Sequence, residues 1–116
     1  MAGNNAPITI KKYANRRLYN TATSAYVTLD DLAKLIKRGD DFSVQDARSG
    51  DDITRSVLTQ IIVEQEGKTG ETLLPVSFMR QLITFYGDPR QRAVPGFLED
   101  SMQTFASQKP GTEPRA

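Results

Sequence analysis

The spacing of apolar residues changes period along this chain, and that change restricts what it can fold into. Ile8 and Ile10 alternate with Thr9 and Lys11, the period of a half-buried strand, and Tyr13 continues the face opposite the isoleucines. Arg17-Leu18-Tyr19 and Tyr26-Val27-Thr28 read as strands flanking Asn20-Thr21-Ala22-Thr23-Ser24, a run of turn-forming residues, so together they predict a hairpin. From Leu29 the period becomes helical, with one return to alternation over Phe42–Ala47 and a turn at 48–52.

Thr28 sets a hydroxyl ahead of Asp30 and Asp31, and Leu29, Leu32, Ala33 and Ile36 follow at helical spacing, predicting a helix over 29–38 that stops at Gly39. Thr54 is expected to cap a second helix, with Val57, Leu58, Ile61 and Ile62 as one apolar stripe and Gly67 as its end. Residues 67–72, GKTGET, read as a polar linker. Beyond it, Met79, Leu82, Ile83 and Tyr86 predict a helix over 74–86, which Gly87-Asp88-Pro89 breaks. Val94, Phe97, Leu98, Met102 and Phe105 fall on one side of a last helix, 94–105, with Pro95 in its first turn.

The reading is an α+β fold: a small hairpin-and-helix domain at 8–66, the linker 67–72, and an α-helical hairpin at 73–107 used for oligomerisation. Residues 1–7 and 108–116 are expected to be disordered.

Charge is distributed as unevenly as periodicity. Residues 1–29 hold four cations and no acid, whereas residues 30–66 hold nine carboxylates against five cations. Within 10–29, Lys11, Lys12, Arg16 and Arg17 are interleaved with Tyr13, Tyr19 and Tyr26, although the whole chain is nearly neutral at +1. Cations can merely blunt a sheet edge against aggregation. Arginine, asparagine and tyrosine packed within a few residues are, however, the groups that fix nucleic-acid backbones and stack on bases. Lys11, Lys12, Arg16 and Arg17 are therefore expected to hold phosphates of double-stranded DNA, with Asn15, Tyr13 and Tyr19 as base or sugar contacts. At least one of the three tyrosines is also expected to serve the core.

Composition removes other functions. The chain has no cysteine and no histidine, so disulfides, thiolate and imidazole catalysis, and His- or Cys-ligated metals are excluded, and no cofactor is expected. The pairs Asp30-Asp31, Asp40-Asp41 and Asp51-Asp52 do not converge on one point when adjacent on a helix or strand, and read as dipole and turn residues. Gly67-Lys68-Thr69-Gly70 lacks the glycine spacing of a phosphate loop. An enzyme is not expected. MAGNNAP is not a secretory signal, and no run approaches the roughly 18–20 apolar residues of a membrane span, so a cytoplasmic protein is expected.

The two C-terminal helices carry more apolar surface than they can hide from each other. Met79, Leu82, Ile83, Phe85, Tyr86, Phe97, Leu98, Met102 and Phe105 need a cover. Three solutions stand open: packing on the N-terminal domain, a homodimer or higher homo-oligomer, and a hydrophobic ligand or surface.

Lys11-Lys12-Tyr13-Ala14-Asn15-Arg16-Arg17-Leu18-Tyr19-Asn20, Tyr26-Val27-Thr28-Leu29, Phe42–Ala47 and Ser49–Arg55 together resemble the DNA-binding domain of the polyhydroxyalkanoate synthesis repressor family over residues 10–66. Phe78-Met79, Ile83–Gly87, Phe97-Leu98-Glu99, Met102 and Phe105 resemble its regulatory motif. The resemblance implies a bacterial transcriptional repressor at promoters of granule-associated genes, such as phasin and its own. It further implies release from DNA on adsorption to nascent polyester, with the protein divided between nucleoid and polyhydroxyalkanoate (PHB) granule surface. A different class stays open beside it, a granule-coating protein whose basic segment tethers granules to DNA without sequence choice.

Overall fold

The computed structural model describes residues 7–68, 70 and 72–108. The expected disorder of residues 1–6 and 109–116, and the linker positions Thr69 and Glu71, lie outside them. The chain divides into two compact units, Met1–Leu73 and Leu74–Ala116.

The first unit is α+β. Strands β1 (Ile8–Tyr13), β2 (Arg17–Asn20), β3 (Ala25–Val27) and β4 (Phe42–Asp46) form one sheet in the order β3-β2-β1-β4. The β1–β2 and β2–β3 pairs are antiparallel, and β4 runs parallel to β1 with Ile10 opposite Val44 and Lys11 opposite Gln45. Alternation along each strand sends Ile8, Ile10, Leu18, Asn20, Val27, Phe42 and Val44 to one face. Helices α1 (Leu29–Lys37) and α2 (Thr54–Glu66) cover it, burying Leu32, Ala33, Val57 and Ile61 in the same cluster.

The ends of α1 follow its sequence. Thr28 Oγ1 accepts from the Asp31 amide at 3.0 Å while Asp31 Oδ2 accepts from the Thr28 amide at 2.9 Å, a reciprocal capping box. At the other end Gly39, at φ +95, lets its own amide reach Ile36 O and that of Asp40 reach Leu35 O, both at 3.0 Å. Asp30 Oδ1 accepts from Lys68 Nζ at 2.8 Å and Gln65 Nε2 at 3.2 Å, tying the start of α1 to the end of α2. The Lys68 ammonium first, then the Gln65 amide, lower the Asp30 carboxyl to about 2.

One expectation for α2 is corrected. Thr54 is its first helical residue and not its cap: Ile53 holds the cap position with no side-chain bond. The Thr54 hydroxyl instead accepts from the Val44 amide at 2.8 Å, and the Ile53 amide donates to Val44 O, also at 2.8 Å. Val44 lies on the outer strand, so both its backbone groups on the free edge need partners, and residues 53–54 supply them. Of the apolar stripe Val57, Leu58, Ile61 and Ile62, only half is buried. Val57 and Ile61 enter the core, whereas Leu58 and Ile62 sit about 100° further round the helix and stay partly open beside Ile36 and Leu73.

The second unit holds α3 (Val76–Thr84), a 3-10 turn at Gln91–Ala93, and α4 (Val94–Ala106). The helix expected over 74–86 is shorter at both ends. Pro75 is extended at its start, and Phe85 and Tyr86 make 3-10-type bonds into the turn that Gly87 completes at φ +84. No residue of α3 or α4 is buried.

Candidate nucleic-acid interface

The face of the sheet away from α1 and α2 carries Thr9, Lys11 and Tyr13 from β1, Arg17 and Tyr19 from β2, Tyr26 from β3, and Ser43 and Gln45 from β4. These outward strand residues include no carboxylate. At its β4 border, where Gln45 bridges to Asp52, the Asp52 carboxylate is engaged by the Thr54 amide at 2.8 Å.

The three tyrosines form a chain across this face. The Tyr13 and Tyr19 ring centroids are 6.5 Å apart and those of Tyr19 and Tyr26 5.2 Å, both edge to face. The Arg17 guanidinium lies 4.0 Å over the Tyr26 ring. Tyr13 and Tyr26 are 42% and 55% exposed and Tyr19 is half-buried, so the expectation that one of them serves the core is not met. Strand parity explains why: all three fall on the side that no helix of this unit covers.

Between Tyr13 and Arg17 the chain reverses through Ala14–Arg16, with Asn15 at φ +73 and Arg16 at φ +61. Asparagine tolerates the left-handed region, but a long side chain there costs roughly 1–2 kcal/mol. This strained, exposed arginine forms the tip of the hairpin.

The four cations do not share one surface. Lys11 and Arg17 project from the open face, whereas Lys12 and Arg16 line a groove at the other side with Leu18, Leu29, Thr59, Gln60, Val63 and Glu64. Lys12 lies opposite Asp46 in the β1–β4 register. The Ser49 and Arg48 amides hold the Asp46 carboxyl below its ordinary range, and the charges of Arg48 and Lys12 add to this. None of the four cations makes an ion pair among the described residues. Lys34, Arg38, Lys68 and Arg90 do, with Asp30, Asp40, Asp30 and Asp88.

Sequence reasoning noted the Tyr26 ring without assigning it a contact, and missed Gln45 on the open face and Thr59 and Gln60 in the groove. Pairing with Tyr19 was the available signal for Tyr26; nothing local marks the other three.

In the second unit, Leu82, Phe85, Phe97 and Leu98 line one apolar groove with Phe78 and Val94, and the Arg90 guanidinium lies 5.1 Å over Phe85. Phe97 and Phe105 also line a neighbouring hollow with Asp100 and Thr104. Met79, Ile83, Tyr86 and Met102 are exposed and line neither.

Residues 9–69 match the family model of the PHB/PHA accumulation regulator DNA-binding domain, and residues 74–109 that of the PHB accumulation regulatory domain. The chain belongs to the PHB/PHA accumulation regulators. It is 44% identical over 100 residues to an uncharacterized protein of Allochromatium vinosum, a match covering 86% of this chain and 65% of that one. An uncharacterized protein in the phbA 5′ region of Thiocystis violacea is 45% identical over 100 residues, covering 86% of this chain and 72% of that one. No solved structure matches the chain. The family is one of non-enzymatic regulators. Its DNA-binding domain takes in the sheet, but for Ile8, with α1 and α2, and its regulatory domain takes in α3 and α4.

Arg16→Gly separates folding from binding in this regulator. Glycine adopts φ +61 without steric penalty, at an entropic cost of about 0.5–1 kcal/mol, so urea unfolding is expected to report unchanged or higher stability, by up to about 1 kcal/mol. Duplex affinity is expected to fall with the loss of one cation. A clear loss of stability would mean that the fold itself depends on the arginine side chain.

Proposed function

We propose that the protein is a transcriptional repressor of polyhydroxyalkanoate synthesis and of granule-associated genes, released from DNA when it binds the polymer. The observation that carries the DNA half is the open sheet face, with its unpaired cations, its tyrosines and its lack of outward strand carboxylates. Duplex DNA carries one negative charge per about 1.7 Å of axis and rewards such a surface through counterion release.

The polymer half rests on the second unit. Its apolar side chains are only partly covered, none of those on α3 and α4 being buried, and burying each Leu, Ile, Phe or Met stabilises by roughly 1.5–3 kcal/mol. A second copy of the chain and a polyester surface both offer that cover. In the proposed cycle a homodimer or higher homo-oligomer holds the promoter, and polymer competes for Met79, Leu82, Phe85, Phe97, Leu98 and Phe105. The spacing of two DNA-reading units is then lost. By linkage, polymer weakens DNA binding by the factor by which DNA weakens polymer binding, about 5- to 150-fold for a coupling of about 1–3 kcal/mol. No helix among the described residues is long and apolar enough to cross a membrane. The two sites of residence proposed are the nucleoid and the granule surface.

A competition gel shift tests both halves. The protein is expected to hold its promoter at least about 10³-fold more tightly than random duplex at matched salt, and to release it as amorphous polymer is added. Equal affinity for random DNA would favour the granule-coating alternative. A promoter complex that survives saturating polymer would remove the release step.

A further inference from the structure

We infer that sequence is read by the open face of the sheet, with Arg17 and Gln45 as the base-reading side chains, while Lys12 and Arg16 grip the phosphate backbone beside it. This inference rests on the DNA-binding reading above and assigns its parts.

The helices are the weaker candidates. On α1, Lys34 lies 3.6 Å from Asp30, and just beyond it Arg38 lies 2.6 Å from Asp40, which leaves Lys37 as the one α1 cation without an ion pair among the described residues. The groove with Lys12 and Arg16 also contains Glu64, and Lys12 faces Asp46 across the strands. A carboxylate there disfavours close approach of a polyanion over the whole groove, but leaves its rim open to a single phosphate. The Arg16 tip reaches that rim without belonging to the open face.

On the open face the strands themselves present no outward carboxylate, and Asp52, which bridges to Gln45 at the β4 border, is held back by the Thr54 amide at 2.8 Å. Stacking on Tyr26 at 4.0 Å orients the Arg17 guanidinium, and no hydrogen bond to another described residue uses its N–H groups. A preoriented guanidinium with a free hydrogen-bonding edge suits bidentate binding of guanine O6 and N7. Gln45 is exposed and stands beside Lys11 on the neighbouring strand. A free carboxamide suits adenine N6 and N7 in the same way. From β2 to β4 the face spans two strand spacings, about 10 Å, which fits a major groove about 12 Å wide.

Gln45 makes the assignment testable because it is neutral: it can contribute to base discrimination but not to counterion release. Fluorescence anisotropy with the full chain, its promoter fragment and a scrambled duplex of equal length, over a salt series, separates the roles. Gln45→Ala is expected to lower promoter affinity by roughly 5- to 150-fold, the loss of one bidentate base contact, with scrambled-duplex affinity and salt slope unchanged. Lys12→Ala is expected to weaken both duplexes equally and make the logarithmic salt slope shallower by about 0.9. Unfolding midpoints confirm that both variants remain folded, since neither side chain is in the core. A Gln45→Ala protein that keeps full discrimination, or loses affinity for both duplexes alike, overturns the sheet-face assignment while the regulator reading stands. A wild-type protein that does not discriminate overturns both.

Discussion

Raising salt from about 50 to about 200 mM is expected to lower promoter affinity by about 40-fold if one subunit engages the duplex, and by about 2 × 10³-fold if two do. The estimate follows from the charge geometry. Lys11, Lys12, Arg16 and Arg17 make no ion pair among the described residues, so each arrives at the duplex with its full charge. Stacking of Arg17 on Tyr26 leaves the guanidinium cationic. With Arg17 assigned to a base edge, Lys11, Lys12 and Arg16 remain for phosphates; each neutralised phosphate contributes about −0.9 to the slope of log K against log salt, giving about −2.7 for three contacts and about −5.4 for six. Anisotropy titrations at several salt concentrations measure that slope directly. A value between zero and about −1 would mean that binding does not run through these cations. A value near either expected figure also counts the subunits on the DNA, because the slope depends on contacts and not on the strength of any one.

How far the sequence foretold this surface depends on the range of the interactions that build it. Strand alternation around Ile8 and Ile10, the Thr28 capping box and the stop at Gly39 are local and were legible. The tyrosine chain was half legible: each ring was noticed, but the expected core role failed because only the assembled sheet reveals which side the helices cover. Gln45 was not legible, because its position depends on β4 lying parallel to β1 more than thirty residues away in sequence, with Lys11 opposite Gln45. The same limit misled the reading of Thr54, whose hydroxyl answers a tertiary demand at Val44 in place of a local one at a helix end. Charge behaved likewise. Four cations in one short segment suggested one patch, yet strand parity and the left-handed turn at Asn15 and Arg16 divide them between two surfaces.

Leu32→Ala is expected to unfold most of the first unit near physiological temperature, although Leu32 lies on the helix layer and not on the open face. Leu32 is completely buried, in one cluster with Ile10, Val44 and Val57. Truncating such a leucine costs about 2–5 kcal/mol, and a core of this size supplies only about 3–5 kcal/mol of net stability. Ile62→Ala is the control, since Ile62 is 53% exposed, and its cost should stay below about 1 kcal/mol. Urea unfolding followed by tyrosine fluorescence distinguishes the two, because Tyr13, Tyr19 and Tyr26 all belong to this unit. A Leu32→Ala protein as stable as Ile62→Ala would show that α1 does not close the sheet as described. The variant also separates loss of fold from loss of contact. Every residue proposed to face DNA remains, so promoter DNA in excess should restore the folded population by mass action, with a gain that grows as RT ln(1 + [DNA]/Kd). Gln45→Ala and Lys12→Ala, which leave the core intact and damage the surface, should show no such recovery.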